Sequence, residues 1–230
     1  MIISSPPTVS LSSLSYRYNE SDPDSQVLSS LSLDVSIGEL VILTGASGSG
    51  KTTLLTLIGG LRSGASGSLN VLGKELSSLS ESGLNQLRKE VGFVFQSHNL
   101  LPYLTAAENI RMALEVHDHW RSKSLAKIQD RCIELLQLLG LEERANFKPC
   151  NLSVGQKQRV SIARAIANSP RLILADEPTA SLDKDATKIV ITLLKELTMS
   201  MQASVLVVTH DNKIIDYADR IICLDNGRIV

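Results

Sequence analysis

The stretch that most constrains this chain is Gly45-Ala46-Ser47-Gly48-Ser49-Gly50-Lys51-Thr52, which fits the spacing G-x-x-x-x-G-K-S/T. The apolar run Glu39-Leu40-Val41-Ile42-Leu43-Thr44 precedes it and reads as a buried strand, and Thr53-Leu54-Leu55-Thr56-Leu57-Ile58 follows as a helix. Glycines let the loop close its amide N–H groups around a phosphate, and the helix N-terminus adds partial positive charge at the same point. Lys51 is placed to reach the β- and γ-phosphates, and the Thr52 hydroxyl to meet Mg²⁺. Gly45, Ser47, Gly48, Ser49, Gly50 and Thr53 complete the expected phosphate contacts. An inert Gly/Ser turn is the alternative, and it needs neither the flanking strand nor the helix. The stretch predicts a nucleoside-triphosphate site in an α/β fold.

Size and charge narrow the rest. A chain of 230 residues suits one large α/β domain. With 43% hydrophobic residues it can fill a core, and a net charge of -1 argues against nucleic acid as the main partner. Cys132, Cys150 and Cys223 are scattered without metal-ligand or redox spacing, so reduced thiols are expected. Apolar runs such as Val205-Leu206-Val207-Val208 are strand-sized, far below the ~20 residues of a membrane span. The N-terminus lacks a basic region followed by an apolar core, so no signal peptide is expected. These features describe a soluble intracellular chain, whose membrane partner, if it has one, is a separate polypeptide.

Read in order, residues 8–18 alternate as a strand with an irregularity near Ser12-Ser13. The turn-rich segment from Asn19 to Ser25 leads into a second alternating strand interrupted by serines. The two are expected to form a small antiparallel sheet beside the nucleotide core. Tyr18 is either an edge-strand aromatic or an adenine-stacking ring. A short strand is predicted over 68–73, a surface helix or helical turn over 76–90, a buried strand over 91–96 and helices over 106–116 and 122–139. His117-Asp118-His119 has no third ligand site and reads as a solvated helix end. Beyond it come a helix over 155–168, a strand over 172–175, a helix over 185–199, a strand over 205–208 and a helix over 212–218. Asn226-Gly227 is a hairpin signal.

Several strand ends carry chemistry. Leu172-Ile173-Leu174-Ala175 delivers Asp176 and Glu177 at its C-terminal end, the edge where parallel sheets bind ligands. Asp176 suits the Mg²⁺ shell and Glu177 the polarising of water. His210 ends another strand and either donates to the γ-phosphate or is a surface histidine. Gln96, at a third strand end, suits Mg²⁺ or the water through its amide. Leu152-Ser153-Val154-Gly155-Gln156 forms a second anion-ready turn before a helix. One chain carries one phosphate loop, so this second turn asks for a second nucleotide, which a two-fold dimer supplies.

As an ordered set, GASGSGKT at 45–52, Gln96, LSVGQ at 152–156, LILADE at 172–177, SLD at 181–183 and His210 resemble the ATP-binding cassette (ABC) ATPases over nearly the whole chain. The resemblance implies an α/β P-loop NTPase (RecA-like) core with an N-terminal antiparallel β subdomain and an inserted α-helical subdomain. In these terms 8–230 is a single domain: 1–96 and 156–230 form the core with its β subdomain, and 97–155 the helical subdomain. It also implies that Tyr18 stacks on adenine, that Ser153, Gly155 and Gln156 contact the partner's ATP, and that Asp183 lies in the loop linking the two sites. ATP and Mg²⁺ are the implied ligands, with Thr52, Gln96 and Asp176 at the metal and Lys51, Gln96, Glu177 and His210 catalytic. The usual signature has glycine where this chain has Val154, so its turn must take a backbone conformation open to valine.

Segments 54–62, 95–101 and 174–179 resemble the branch holding the LolD lipoprotein-release and MacB macrolide-exporter ATPases. Segments 66–76 and 209–221 look most like the DevA glycolipid-exporter ATPases. The branch implies a peripheral exporter subunit on the cytoplasmic face of the inner membrane. Its implied partners are a second copy of itself, integral membrane permease subunits, and through them a periplasmic adaptor and an outer-membrane channel. The apolar loop Leu100-Leu101-Pro102-Tyr103-Leu104 is either the permease-docking surface or core. A soluble ABC ATPase acting on nucleic acid or the ribosome is the alternative, but the long insertions or doubled cassettes of that class are missing from these 230 residues.

Overall fold

The computed structural model describes residues 6–19, 21, 22 and 25–230. Within the turn-rich segment before the second strand, Glu20, Pro23 and Asp24 lie outside the described residues.

The N-terminal strands β1 (Val9–Arg17) and β2 (Gln26–Val35) pair antiparallel. The irregularity near Ser12-Ser13 is present: the register shifts between Leu11 and Leu14, and Ser13 takes φ 49. The extra residue resets the alternation, so that Val9, Leu11, Leu14 and Tyr16 all point to the buried face. The sheet is larger than expected. Strand β4 (Ser66–Val71) pairs with the free edge of β1, and β5 (Lys74–Glu75) closes the order β2-β1-β4-β5.

The central sheet has six strands in the order β10-β9-β3-β8-β7-β6. Its parallel members are β3 (Leu40–Thr44), β6 (Val91–Val94), β7 (Leu172–Asp176), β8 (Ser204–Val208) and β9 (Arg220–Asp225). Strand β10 (Arg228–Ile229) returns antiparallel through Asn226 and Gly227, whose φ values of 45 and 71 match a type I′ hairpin.

Residues of β3, β7 and β8 are buried on both faces, which explains their unbroken apolar runs. Alternate residues serve two cores. Val41, Leu43, Leu172, Leu174, Leu206 and Val208 face the N-terminal sheet and helix α1 (Lys51–Ile58). Ile42, Ile173, Ala175, Val205 and Val207 face a helical layer. That layer contains α3 (Ala106–Glu115), α5 (Leu125–Leu138), α6 (Val154–Ile166) and α7 (Lys184–Ser200).

Helix boundaries follow caps more closely than apolar spacing. The segment predicted as a surface helix or helical turn over 76–90 is a 3₁₀ turn at Leu76–Ser78 followed by α2 (Glu81–Glu90), with Ser80 accepting from the Gly83 N–H. The helix predicted from 122 begins at Leu125, where Ser124 accepts from the Lys127 N–H, and the short helix α4 (Asp118–Arg121) precedes it. Residues Asn212–Tyr217 form a 3₁₀ helix. No helix among the described residues is long and apolar enough to cross a membrane.

Candidate functional site

The C-terminal ends of β3, β7 and β8, with the chain just beyond β6, open into one cleft of about 600 Å³. Strand β3 runs into the 45–52 loop, and Gly45, Ser47, Gly48, Gly50, Lys51, Thr52 and Thr53 all line the cleft. Gly45 has φ 142, and a Cβ there would overlap the Leu224 carbonyl, so only glycine fits. Gly50 caps α1 in the left-handed region with φ 103 and supplies no side-chain acceptor, leaving the first helix amides open. Lys51 Nζ lies across the loop, donating to the Gly45 and Ala46 carbonyls at 2.8 and 2.7 Å. Ala46 and Ser49 do not line the cleft; Ser49 is buried, and its carbonyl accepts from the Gly227 N–H at 3.2 Å.

Opposite the loop stand the two acids of β7. Thr52 Oγ1 donates to Asp176 Oδ2 at 2.8 Å. Burial pushes the Asp176 carboxyl above the usual carboxylate range; the Thr52 bond pulls it back, the Glu177 charge pushes it up again, and Lys51 opposes. A buried carboxylate beside a hydroxyl, with the exposed Gln96 amide on the same cleft, is a set of hard oxygen donors that fits Mg²⁺. Glu177 follows with φ 50, an uncommon backbone state for a glutamate. Its amide still donates to the Val208 carbonyl at 2.9 Å, continuing the sheet ladder one residue past β7. The turned backbone sends the side chain to His210: Nδ1 and Glu177 Oε1 are 2.7 Å apart, and Thr209 Oγ1 donates to Oε2 at 3.2 Å. Strain held by such bonds is a common mark of a working site.

Tyr18, just after β1, borders the cleft; the residue is 57% exposed and its hydroxyl lies 2.9 Å from Thr53 Oγ1. Ser153, Gly155, Gln156 and Asp183 do not line this cleft. Ser153 caps α6 in a reciprocal box: its hydroxyl accepts from the Gln156 N–H, and Gln156 Oε1 accepts from the Ser153 N–H. Val154 is the first residue of that helix and has no positive φ, so the valine sits without strain. Asp183 caps α7, accepting from the Ala186 N–H at 2.8 Å.

Sequence reasoning missed three contributors. Thr209 carries the second bond to Glu177, and a hydroxyl beside His210 at a strand end was the available signal. Val27 walls the cleft beside Tyr18, and nothing in its sequence context marks it. Asn109, buried at 1%, accepts from the Leu101 N–H and donates to the Leu101 and Leu104 carbonyls, fixing the loop after Gln96. In that loop Leu100 packs against the core, whereas Leu101 is 42% and Tyr103 84% exposed. His117 is occupied with the Lys89 carbonyl at 3.0 Å, and no metal-binding cluster occurs among the described residues.

A family model described as ABC transporter matches residues 28–180. The chain belongs to the ABC transporter family. Its cassette is 43% identical over 225 residues to a macrolide export ATP-binding/permease protein MacB of Burkholderia pseudomallei (strain 1710b). That match covers 97% of this chain and 34% of MacB, so the chain spans about one third of that relative. It is 44% identical over 211 residues to the lipoprotein-releasing system ATP-binding protein LolD of Psychrobacter arcticus, covering 91% of this chain and 92% of LolD. It is 41% identical over 213 residues to a putative hemin import ATP-binding protein HrtA of Staphylococcus aureus (strain MRSA252), covering 93% and 95%. Among solved structures, the ATP-binding cassette MJ0796, in a dimeric post-hydrolysis state bound to ADP and Pi, superposes with a TM-score of 0.90. Its sequence is 37% identical, and the match covers 96% of both chains. This ABC cassette is thus an ATPase of the LolD, MacB and HrtA type, with an antiparallel β subdomain, a helical insert and Mg²⁺ as the usual partner of its ATP.

Proposed function

We propose that two copies of this cassette close face to face around two ATP molecules and drive a separate membrane permease. The observation that carries the reading is the division of parts. One cleft gathers Lys51, Thr52, Gln96, Asp176, Glu177 and His210, while Ser153, Gly155 and Gln156 stand outside it on a different helix end. The partner copy brings that end to the γ-phosphate, with Asp183 in the loop that joins the two sites. Tyr18 stacks on adenine, and the 45–52 loop holds the phosphates. Mg²⁺, held through Thr52, Asp176 and Gln96, neutralises phosphate charge when bound. Glu177 takes the proton of the attacking water, and its bonds to His210 and Thr209 aim the carboxylate. Lys51, His210 and the partner's signature turn stabilise the charge that spreads over the γ-phosphate oxygens. Hydrolysis removes the bridging phosphate, and the dimer opens.

The permease docks on the helical lobe at 97–155, where Leu101 and Tyr103 project from the loop that Asn109 braces. The cassette then works as a peripheral subunit at the cytoplasmic face of the membrane. The MacB and LolD relatives favour export of a lipid, lipoprotein or other apolar cargo, through a permease that also engages a periplasmic adaptor and an outer-membrane channel. HrtA carries import in its name, so the direction rests on the first two.

Glu177→Gln tests the core of this reading. The variant should bind ATP normally, lose hydrolysis by roughly 10²–10⁴-fold, and elute as a dimer from a sizing column run in ATP. A variant that stays monomeric and hydrolyses ATP at the normal rate would sink the role given to Glu177.

A further inference from the structure

The rim of the cleft at Tyr18 carries an arrangement that the phosphate chemistry does not use. The guanidinium of Arg62, in the turn after α1, lies over the Tyr18 ring with its carbon 4.8 Å from the ring centroid. The same group stands 5.6 Å from the Tyr16 centroid and donates to Tyr16 Oη at 3.2 Å, a bond that raises the Arg62 pKa above its usual value. Tyr16 is only 8% exposed, so it anchors this cation to the β1 core. The two tyrosine rings meet edge to face at 5.5 Å, and the Tyr18 hydroxyl is pinned to Thr53 on the first turn of α1. Tyr18 borders the nucleotide cleft; Arg62 does not, and lines a separate hollow with Leu57 and Leu84. The cation therefore touches the ring without lining the cleft itself.

A ring held at its hydroxyl and packed against a second tyrosine and a cation has little freedom left to lose when a base stacks on it, so less ordering cost opposes binding. The cation is attracted to the ring's π cloud and adds to the hold. We propose that Arg62 is a positioning residue that holds Tyr18 as a ready-made stacking platform for the nucleotide base. The inference rests on the reading that Tyr18 stacks on adenine.

Calorimetric titration of the full chain with Mg-ATP and with Mg-tripolyphosphate, which has phosphates and no base, tests it. Arg62→Ala should weaken ATP by about two- to fivefold, the range of an exposed cation–π contact. KM for ATP should rise by the same factor with kcat unchanged, tripolyphosphate affinity should stay constant, and Arg62→Lys should recover part of the loss. In a Tyr18→Ala background Arg62→Ala should cost nothing more. An unchanged ATP affinity in Arg62→Ala, while Tyr18→Ala loses affinity, overturns the role of Arg62 and leaves the stacking intact. A loss that persists in the Tyr18→Ala background means direct contact with the nucleotide and also overturns it. An equal loss for tripolyphosphate overturns it as well. If Tyr18→Ala itself keeps full ATP affinity, the stacking reading falls and takes this inference with it.

Discussion

The N-termini of α1 and α6, which the proposed dimer would bring to one phosphate, are furnished in opposite ways. Helix α1 starts from a left-handed glycine with no side-chain cap, so its first amides are left for an outside acceptor, and Lys51 adds a full charge. Helix α6 starts from Ser153 in a closed capping box, with its first amides partly satisfied by its own side chains and no acidic residue in its first turn. An open, charged end is built to capture an anion alone. A capped, neutral end is stable at rest and gains from phosphate only what its hydroxyl and remaining amide add. The contrast fits the proposed two-fold ATP sandwich, in which one end captures the nucleotide and the other closes on it.

The sharpest way to break that contrast is to disable each end separately and then mix the chains. Lys51→Ala and Ser153→Asp should each lower ATP turnover by about 100-fold or more. Only Lys51→Ala should also weaken ATP binding by the isolated chain. A dimer of one chain of each kind retains one intact pairing of loop and signature turn. Equal mixing makes about half the dimers of that kind, each with one good site of two, so activity should return to on the order of one quarter of the starting level. Phosphate release measured across mixing ratios would show it. A mixture as dead as its parts would place both ends in one chain's site.

The reason the α1 end was legible and its surroundings less so lies in locality. The 45–52 loop is one strand, one turn and one helix in direct succession, and the acids of β7 and His210 after β8 advertise themselves at the ends of apolar runs. Pairing of β1 with β4, such as Val9 with Val71, joins segments with no local signal, so the N-terminal sheet was expected with two strands and has four. The helix expected from apolar spacing began at 122, but the Ser124 hydroxyl starts it later because capping outweighs periodicity at a terminus. The left-handed backbone of Glu177 leaves no trace either, since glutamate carries no preference for φ 50.

A second test bears on the cost of the open end. Asp176 is 5% exposed, and its raised pKa means that the folded chain pays to keep the carboxylate charged. With the folded pKa above the unfolded one, the penalty is absent below the unfolded carboxylate range and grows as pH rises through the folded value. Asp176→Asn should therefore raise the melting temperature of the nucleotide-free chain at pH 7 by about 2–4 °C, roughly 1 kcal/mol for a chain of this length. The advantage should shrink as pH falls toward about 4, while Mg²⁺-dependent turnover is lost at every pH. A neutral or destabilised variant at pH 7 would mean that the Thr52 bond and Lys51 already offset the burial.

The smallest effect is expected at Val154, and it sharpens the other half of the contrast. Valine stands where the family's usual signature has glycine, yet it is 55% exposed, takes no positive φ and serves as the first helical residue after the Ser153 cap. The folded α6 end makes no use of the freedom a glycine would supply. Val154→Gly should then cost only the difference in helix propensity, about 0.4 kcal/mol, or about 1 °C in melting temperature. ATP-driven dimerisation of the Glu177→Gln chain should change by less than about twofold, which is the same energy. Thermal melts and sedimentation in ATP measure the two quantities side by side. A glycine variant that dimerised about tenfold more tightly would show that the α6 end must reshape to meet the partner's phosphate. Closure would then rest on a turn remade in the dimer, and the capped geometry seen here would be only its resting form.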